Sequence, residues 1–268
     1  MSTQLLVPLD GSSLADEAIA HAAEIARRID GTLHLVRVHT PLSMFVAATD
    51  APMSIPDPVI DERMREAAEL WLADRAQSVS ELNDVPVTWE VRIGAPEIEI
   101  VLATAERHPR LLVCTTRGAG GAAMRLLGSV TDSVMRHAKC PVFAMSPDAV
   151  KRDVALQSLL VLLDGSEASS TIMPHAAWLA HAFGAKIDRM RLAHPPEHPA
   201  DAIRRYIDAT NPDAIALATH GRGFTRLYMG SVADDLMRTV NRPILVFRPC
   251  EGSWTKSARI SPTLSWAV

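Results

Sequence analysis

The sequence predicts an α/β protein of two similar lobes, each a parallel β-sheet covered by helices on both faces. Short apolar runs alternate with segments of helical periodicity through most of the 268 residues. One block of motifs occurs twice in the same order, which indicates an internal repeat. A glycine-rich loop joins a buried strand to a helix, a connection typical of parallel α/β sheets.

The repeat is visible near the start and near the end of each lobe. Residues 5–12 read LLVPLDGS and residues 159–166 read LLVLLDGS, while 128–130 and 230–232 both read GSV. The two copies of GSV lie closer together in the sequence than the two copies of the first motif. The second lobe therefore lacks the segment that corresponds roughly to residues 41–91. The sequence thus predicts a full first lobe over 1–147, a truncated second lobe over 148–250 and a tail over 251–268.

Periodicity and turn residues place the elements of the first lobe. The predicted strands are 5–9, 33–38, 87–93, 111–114 and 142–145, and the predicted helices are 14–29, 59–80, 96–107 and 130–137. In the second of these helices we expect an inward face made of Met64, Ala67, Ala68, Trp71 and Leu72.

The second lobe repeats this order without the second helix and the third strand. Its second strand, predicted over 187–193, then becomes a sheet edge. Asp188, Arg189 and Arg191 in that strand are the kind of charged residues that protect an exposed edge from pairing.

Composition excludes several classes of protein. With 48% hydrophobic and 22% charged residues the chain can bury a core, and a formal net charge of −4 without a basic cluster argues against nucleic-acid binding. No apolar run is long enough to span a membrane, and the first residues lack a leader pattern, so we expect a cytoplasmic protein. Cys114 and Cys140 are predicted as buried structural thiols, and the scattered histidines predict no metal site.

The loop after the fourth strand is the strongest candidate for a binding site. Gly118, Gly120 and Gly121 let the backbone turn or a ligand approach closely, and Ser129 stands where a helix N-cap would, with Asp132 three residues on. A helix start with free N–H groups binds phosphate well. The alternative is a tight strand-to-helix turn without a ligand.

Strand order brings other candidates to the same place, because ligands of open parallel sheets lie beyond the carboxyl ends of the strands. Asp10 follows strand one and offers oxygens to a base or a ribose, while Val38 at the end of strand two offers an apolar wall for adenine. The alternative for Asp10 is a carboxylate that only forms the turn in Asp-Gly-Ser.

These motifs together resemble the tandem type of the universal stress protein family. Residues 7–12 read VPLDGS, Gly118 and Gly128-Ser129 stand at the spacing of the family's nucleotide loop, and 136–142 read RHAKCPV. The second lobe has THGRG at 219–223 and GSV at 230–232. The resemblance covers both lobes except the tail.

The resemblance implies flavodoxin-like sheets of order 3-2-1-4-5, of the adenine-nucleotide α-hydrolase-like type. It also implies binding of ATP, with or without Mg²⁺, a role in stress response, and dimerisation. The two lobes would form an intramolecular pseudo-dimer, and two chains could pair as a homodimer. Crevice and resemblance together predict nucleotide contacts from Pro8, Leu9, Asp10, Val38, Thr115, Arg117, Gly118, Gly128, Ser129, Val130 and Thr131. A degenerate second site would contain Asp164, His220, Gly221, Gly230 and Ser231.

Two departures from the family pattern affect the nucleotide prediction. Thr115 and Ala218 replace the first loop glycine of each lobe, and Arg117 replaces the usual histidine. Thr115 adds a Cβ where close approach is expected, whereas Arg117 offers phosphate a charge-assisted contact. We therefore expect the first lobe to hold the nucleotide and the second to act as a scaffold.

Three functions follow from the sequence. The first is an ATP-binding regulatory protein without a catalytic role beyond slow ATP hydrolysis. The second is a nucleotide-free interaction module of the same fold. The third is an enzyme acting at the α-phosphate, for which the sequence offers no acid–base pair near Ser129.

Overall fold

The structure is a computed structural model. It describes residues 3–41, 58–117, 127–152, 154–192, 199–219 and 226–249, and for 226–231 only the backbone. Gly118, His220, Gly221, Cys250 and the tail lie outside the described residues.

The first lobe has five parallel strands and four described helices. The strands are β1 (Gln4–Leu9), β2 (Thr32–His39), β3 (Val87–Ile93), β4 (Leu111–Thr115) and β5 (Val142–Met145). The helices are α1 (Ser13–Arg28), α2 (Pro58–Asn83), α3 (Pro96–Arg107) and α4 (Ser129–His137). The strand order 3-2-1-4-5 is confirmed.

The second lobe repeats this arrangement in a shorter form. Its strands are β6 (Ser158–Leu163), β7 (Lys186–Arg191), β8 (Ala214–Ala218) and β9 (Ile244–Phe247). Its described helices are α5 (Glu167–Ser170), α6 (Met173–Phe183), α7 (Pro199–Thr210) and α8 (Arg226–Thr239). The lobe lacks counterparts of α2 and β3 among the described residues, as the repeat predicts.

The sheets of the two lobes join into one sheet of nine strands, of order β3-β2-β1-β4-β5-β9-β8-β6-β7. The junction is antiparallel, with Phe143 opposite Leu245 and Ala144 opposite Ile244. Both strands at this junction are buried, because each covers what would otherwise be the edge of the other lobe's sheet.

Each face of the sheet carries one apolar layer that crosses both lobes. On one face β-strand side chains pack against α1, α2 and α6. On the other face they pack against α3, α4, α7 and α8. The crossover from β1 to β2 runs in the opposite direction along the sheet to the crossover from β4 to β5. Because both crossovers are right-handed, α1 and α4 cover different faces.

The expected inward face of α2 is only partly correct. Ala68 and Leu72 are buried and Trp71 packs against the core, but Met64 is 49% exposed and Ala67 is exposed as well. A helix of 26 residues is about 39 Å long, whereas the strand of 8 residues beneath it spans about 26 Å. The first turns of α2 therefore extend past the packed part of the sheet.

The second strand of the second lobe forms a sheet edge, as predicted. In β7 the residues at positions 186, 188, 189 and 191 are exposed, and all four carry charge. Those charges oppose pairing of this edge with another sheet.

The two lobes also meet through a pair of histidines that the repeat places on α1 and α6. His21 is buried, and its Nε2 lies 2.9 Å from the carbonyl oxygen of Val150. The Nδ1 of His175 lies 3.3 Å from Nη1 of Arg110, and the His175 ring packs on Phe247 with centroids 4.2 Å apart. The contact of His175 requires a neutral imidazole, because Arg110 donates to its Nδ1, whereas His21 donates to the carbonyl oxygen of Val150.

This packing predicts that acid destabilises the protein before its carboxylates titrate. Burial, with a further contribution from Arg110, lowers the pKa of His175 from 6.5 to about 4. Between those values the unfolded chain takes up a proton that the folded chain does not, so the free energy of unfolding falls as the pH falls below 6.5. Burial lowers the pKa of His21 in the same direction.

The measurement is urea unfolding between pH 6.5 and about pH 5, compared in wild type and His175→Gln. Over this interval the free energy of unfolding should fall by up to about 2 kcal/mol less in His175→Gln than in wild type, because the variant lacks the titrating ring. Equal slopes in the two proteins would contradict the assignment to His175.

Candidate functional site

The candidate site lies where the strand order reverses in the first lobe. β1 has β2 on one side and β4 on the other, and Leu6 of β1 is opposite Leu112 of β4. Asp10 is the first residue beyond β1, and Thr115 is the last residue of β4. Chain segments diverge to opposite faces after these two strands, which opens a crevice at the carboxyl edge.

Asp10 holds the turn that leads into α1. Its Oδ1 accepts hydrogen bonds from the backbone N–H of Ser12 at 2.9 Å and from the Ser12 hydroxyl at 2.6 Å. Ser12 in turn caps α1 by accepting from the N–H of Ala15. Asp10 thus forms the turn of Asp-Gly-Ser. Asp10 remains exposed at the edge of the crevice, so a ligand can reach it.

The connection from β4 to α4 is fixed at both of its described ends. The N–H of Thr116 donates to the carbonyl oxygen of Met145, and the N–H of Gly128 donates to that of Thr116 at 2.9 Å. The hydroxyl of Thr131 donates to the carbonyl oxygen of Thr115 at 3.0 Å. These bonds bring the start of α4 against the end of β4. Thr116 was missed from the sequence, because its contribution is made by backbone atoms.

The side chain of Thr115 is engaged by its own loop. Its hydroxyl donates to the carbonyl oxygen of Arg117 at 2.7 Å, and the residue is only 7% exposed. The side chain is therefore used to stabilise the beginning of the loop.

The expected cap of α4 is wrong by one residue. The N-cap is Gly128, and Ser129 is the first helical residue. Glycine has no side chain to accept a hydrogen bond, and no side-chain cap is formed. Asp132 pairs with Arg136 at 2.9 Å, so its carboxylate is engaged one turn further along the helix. The N–H groups of the first turn thus lack the side-chain partner that α1 has in Ser12.

Gly128 is not required by the backbone conformation. Its φ and ψ are −65° and 146°, which any residue adopts. A Cβ at this position would lie 3.4 Å from the carbonyl oxygen of Thr116 and 3.9 Å from Cα of Arg117, both ordinary contact distances. Among the described residues, neither the backbone conformation nor a close contact therefore requires glycine at this helix start.

The second lobe keeps the turn but not the helix start. Oδ1 of Asp164 accepts from the N–H and hydroxyl of Ser166 at 2.9 and 2.6 Å, which matches Asp10. However, α8 begins at Arg226, so Gly230 and Ser231 lie inside the helix. Only the first four N–H groups of a helix lack partners, and Gly230 is the fifth residue. Gly230-Ser231 therefore matches Gly128-Ser129 in sequence but does not stand at the start of its helix.

The other described residues of the predicted site come from β1, β2, α4 and the segment after β4. Pro8 and Leu9 belong to β1, and Val38 and Val130 pack partly buried against the core on the α4 side. Arg117 is half-buried beyond β4. Gly118 belongs to the part of the loop that is not described.

Other reactive groups in the described chain have structural partners. Nε2 of His39 lies 3.1 Å from Asp61, and Nδ1 of His137 lies 2.9 Å from the carbonyl oxygen of Ser133. Burial raises the pKa of Cys114 and Cys140 to about 12, so neither is a thiolate nucleophile near neutral pH. Within the described ranges no group of three or more metal-ligating side chains occurs, and no helix there is long and apolar enough to cross a membrane.

An open parallel sheet with a crevice at its switch point and an uncapped helix start beside it has the architecture of the doubly wound ligand-binding proteins. Comparison with known proteins identifies the family. The model of the universal stress protein family matches residues 1–145 and 196–248. The chain belongs to the universal stress protein family.

Individual relatives agree with this assignment. A universal stress protein of Mycolicibacterium smegmatis is 24% identical over 287 aligned positions, covering 91% of this chain and 97% of that protein. One from Methanocaldococcus jannaschii is 30% identical over 142 residues, covering 53% of this chain and 81% of that protein. The crystal structure of a universal stress protein from Archaeoglobus fulgidus superposes with a TM-score of 0.72 at 17% identity, covering 92% and 99% of the two chains. That likeness shows a shared fold across both lobes.

Proposed function

We propose that this universal stress protein binds an adenine nucleotide, ATP, in the first lobe, and that the bound state alters its interaction with a partner during stress in the cytoplasm. The observation that carries the proposal is the start of α4. Gly128 leaves the first-turn N–H groups without a side-chain cap, and no contact within the described residues requires glycine there. Phosphate is the ligand that such a site favours.

Each part of ATP has a partner of matching chemistry at the crevice. The phosphates would accept hydrogen bonds from the N–H groups of Ser129 and Val130, and Arg117 would add a positive charge. Asp10 would accept from ribose or base hydroxyl and amino groups, and Val38 would pack on adenine. Mg²⁺ accompanying ATP would be held mainly by the phosphates and water, because the described residues offer no carboxylate cluster here.

The nucleotide-free interaction module is the second candidate, because the second lobe has no uncapped helix start at Gly230. Thr115, which has a Cβ where the family has glycine, also favours this candidate, although its hydroxyl is bonded within its own loop. The two candidates are compatible as a division of labour, in which the first lobe binds ATP and the second acts as a scaffold.

We propose that residues 1–147 and 148–250 form two lobes and that these lobes act as an intramolecular pseudo-dimer. The antiparallel pairing of β5 and β9 supports this proposal. A further homodimer remains a prediction. We propose no catalytic role, with slow hydrolysis of bound ATP as the only expected reaction.

The test is calorimetric titration with Mg-ATP of two matched variants, Asp10→Ala and Asp164→Ala. Each removes the same pair of turn hydrogen bonds, so each carries a similar structural cost. Asp10→Ala should weaken Mg-ATP binding about tenfold or more, because a charged hydrogen-bond acceptor is lost. Asp164→Ala should leave the affinity within about twofold of wild type.

Three outcomes would count against the proposal. Absence of Mg-ATP binding in folded wild-type protein would favour the nucleotide-free module. An equal loss of affinity in both variants would indicate a general effect on the fold, and loss in Asp164→Ala alone would move the nucleotide to the second lobe.

A further inference from the structure

A cavity lies between the lobes, away from the carboxyl edge where the candidate nucleotide site was described. Its volume is about 230 Å³, and both lobes contribute to its walls. Asp213 and Pro243 in its wall precede β8 and β9, so the cavity faces the amino ends of these strands. It is smaller than the roughly 300–1,000 Å³ of pockets for drug-sized ligands, which restricts an occupant to a small metabolite.

The cavity lining is mixed, because His21, Arg152 and Asp213 stand among apolar side chains. Ile25 and Phe143 come from the first lobe, and Leu179 and Phe183 come from the second. Ile25, Phe143 and Leu179 are 0–5% exposed and therefore form the floor of the cavity. A branched or aromatic group of a few carbon atoms would pack against this floor, where burial is favourable.

Two opposite charges line the same cavity without neutralising each other. Arg152 and Asp213 form no ion pair with each other, and no described carboxylate pairs with Arg152. The contact of Arg152 within the described residues is a 3.5 Å approach of Nη1 to the carbonyl oxygen of Asn241. Asp213 is anchored through Oδ2 alone, which accepts from the N–H groups of Gln157 and Ser158 and from the Ser158 hydroxyl.

The anchoring of Asp213 has a consequence for its other oxygen. Three bonds to Oδ2 fix the carboxylate in place, and Oδ1 has no hydrogen-bond partner among the described residues. A fixed carboxylate and an exposed guanidinium beside an apolar cavity are complementary to a small molecule that carries an ammonium, a carboxylate and an apolar side chain.

We infer that this inter-lobe cavity binds a free apolar α-amino acid of the size of leucine. The carboxylate pairs with Arg152, the ammonium with Asp213, and the side chain packs between Ile25, Phe143, Leu179 and Phe183. Because the walls come from both lobes, the bound amino acid stabilises their packing. This inference does not depend on nucleotide binding.

The experiment is calorimetric titration of the full chain with L-leucine, isocaproate and isoamylamine. Isocaproate lacks the ammonium of leucine and isoamylamine lacks its carboxylate. Leucine should bind at least about tenfold more tightly than either analogue, since each analogue loses one charge-assisted contact. Leucine should also raise the unfolding temperature, because it binds the folded state.

Three variants locate the binding. Arg152→Met removes the guanidinium but keeps an apolar stem, and Ala155→Trp narrows the cavity from an exposed lining position with little effect on folding. Each should weaken leucine binding about tenfold or more. Lys151→Met, an exposed neighbour that does not line the cavity, is the matched control and should change nothing.

The inference is overturned if folded protein does not bind leucine, if isocaproate or isoamylamine binds as tightly as leucine, or if Arg152→Met and Ala155→Trp bind it like wild type. Titration with Mg-ATP in the same samples reports on the other site separately, so failure of one proposal is distinguishable from failure of the other.

Discussion

Replacing Gly128 with valine is expected to weaken Mg-ATP binding by about tenfold to a hundredfold without unfolding the protein. The backbone at Gly128 has φ of −65°, and an added Cβ meets no atom of the described residues closer than 3.4 Å, so neither the backbone nor the Cβ opposes the substitution. The branched side chain would then occupy the space through which phosphate approaches the N–H groups of α4. Loss of one or two hydrogen bonds to a charged group corresponds to this range of affinity.

The matched control for this variant is Gly230→Val. The sequence repeat makes the two glycines equivalent, but Gly230 lies within α8, where its N–H is already used by the helix. Calorimetric titration should therefore find wild-type affinity in Gly230→Val, with circular dichroism checking that both variants are folded. Unchanged affinity in folded Gly128→Val would exclude the start of α4 as the phosphate site.

The contrast between Gly128 and Gly230 also shows what sequence reasoning can reach at this site. Both glycines precede a serine and a valine, and the pattern predicts a helix start at each. The structure begins α4 immediately after Gly128 but begins α8 four residues before Gly230. Helix boundaries depend on tertiary packing as well as on capping residues. A motif therefore predicts that a helix is present more reliably than it predicts the residue at which the helix begins.

Where the local sequence signal is strong, the first and last residues of an element agree with the prediction. β3 and α3 match their predicted bounds, since β3 is rich in β-branched residues and α3 has proline at its first position. The junction of β5 with β9 had no such signal, because pairing between distant strands is not encoded in either strand alone. In retrospect the four apolar residues Val142–Met145 give an indication, because an open edge rarely has this composition.

That junction carries the largest expected effect on stability. Leu245 of β9 is 1% exposed, lies opposite Phe143 and packs in the apolar layer that crosses both lobes. Leu245→Ala should lower the free energy of unfolding by about 2–5 kcal/mol, since it removes buried methyl groups and leaves a cavity. Against a typical total of about 5–15 kcal/mol, this is a large fraction.

Urea unfolding followed by circular dichroism measures this change, with Leu82→Ala as the control. Leu82 is 84% exposed, so the same chemical change there should cost less than about 0.5 kcal/mol. If the junction joins the lobes into one cooperative unit, Leu245→Ala moves a single transition to lower urea. Two separated transitions would instead mean that each lobe unfolds by itself, and the apolar layer across β5 and β9 would then contribute little to holding the lobes together.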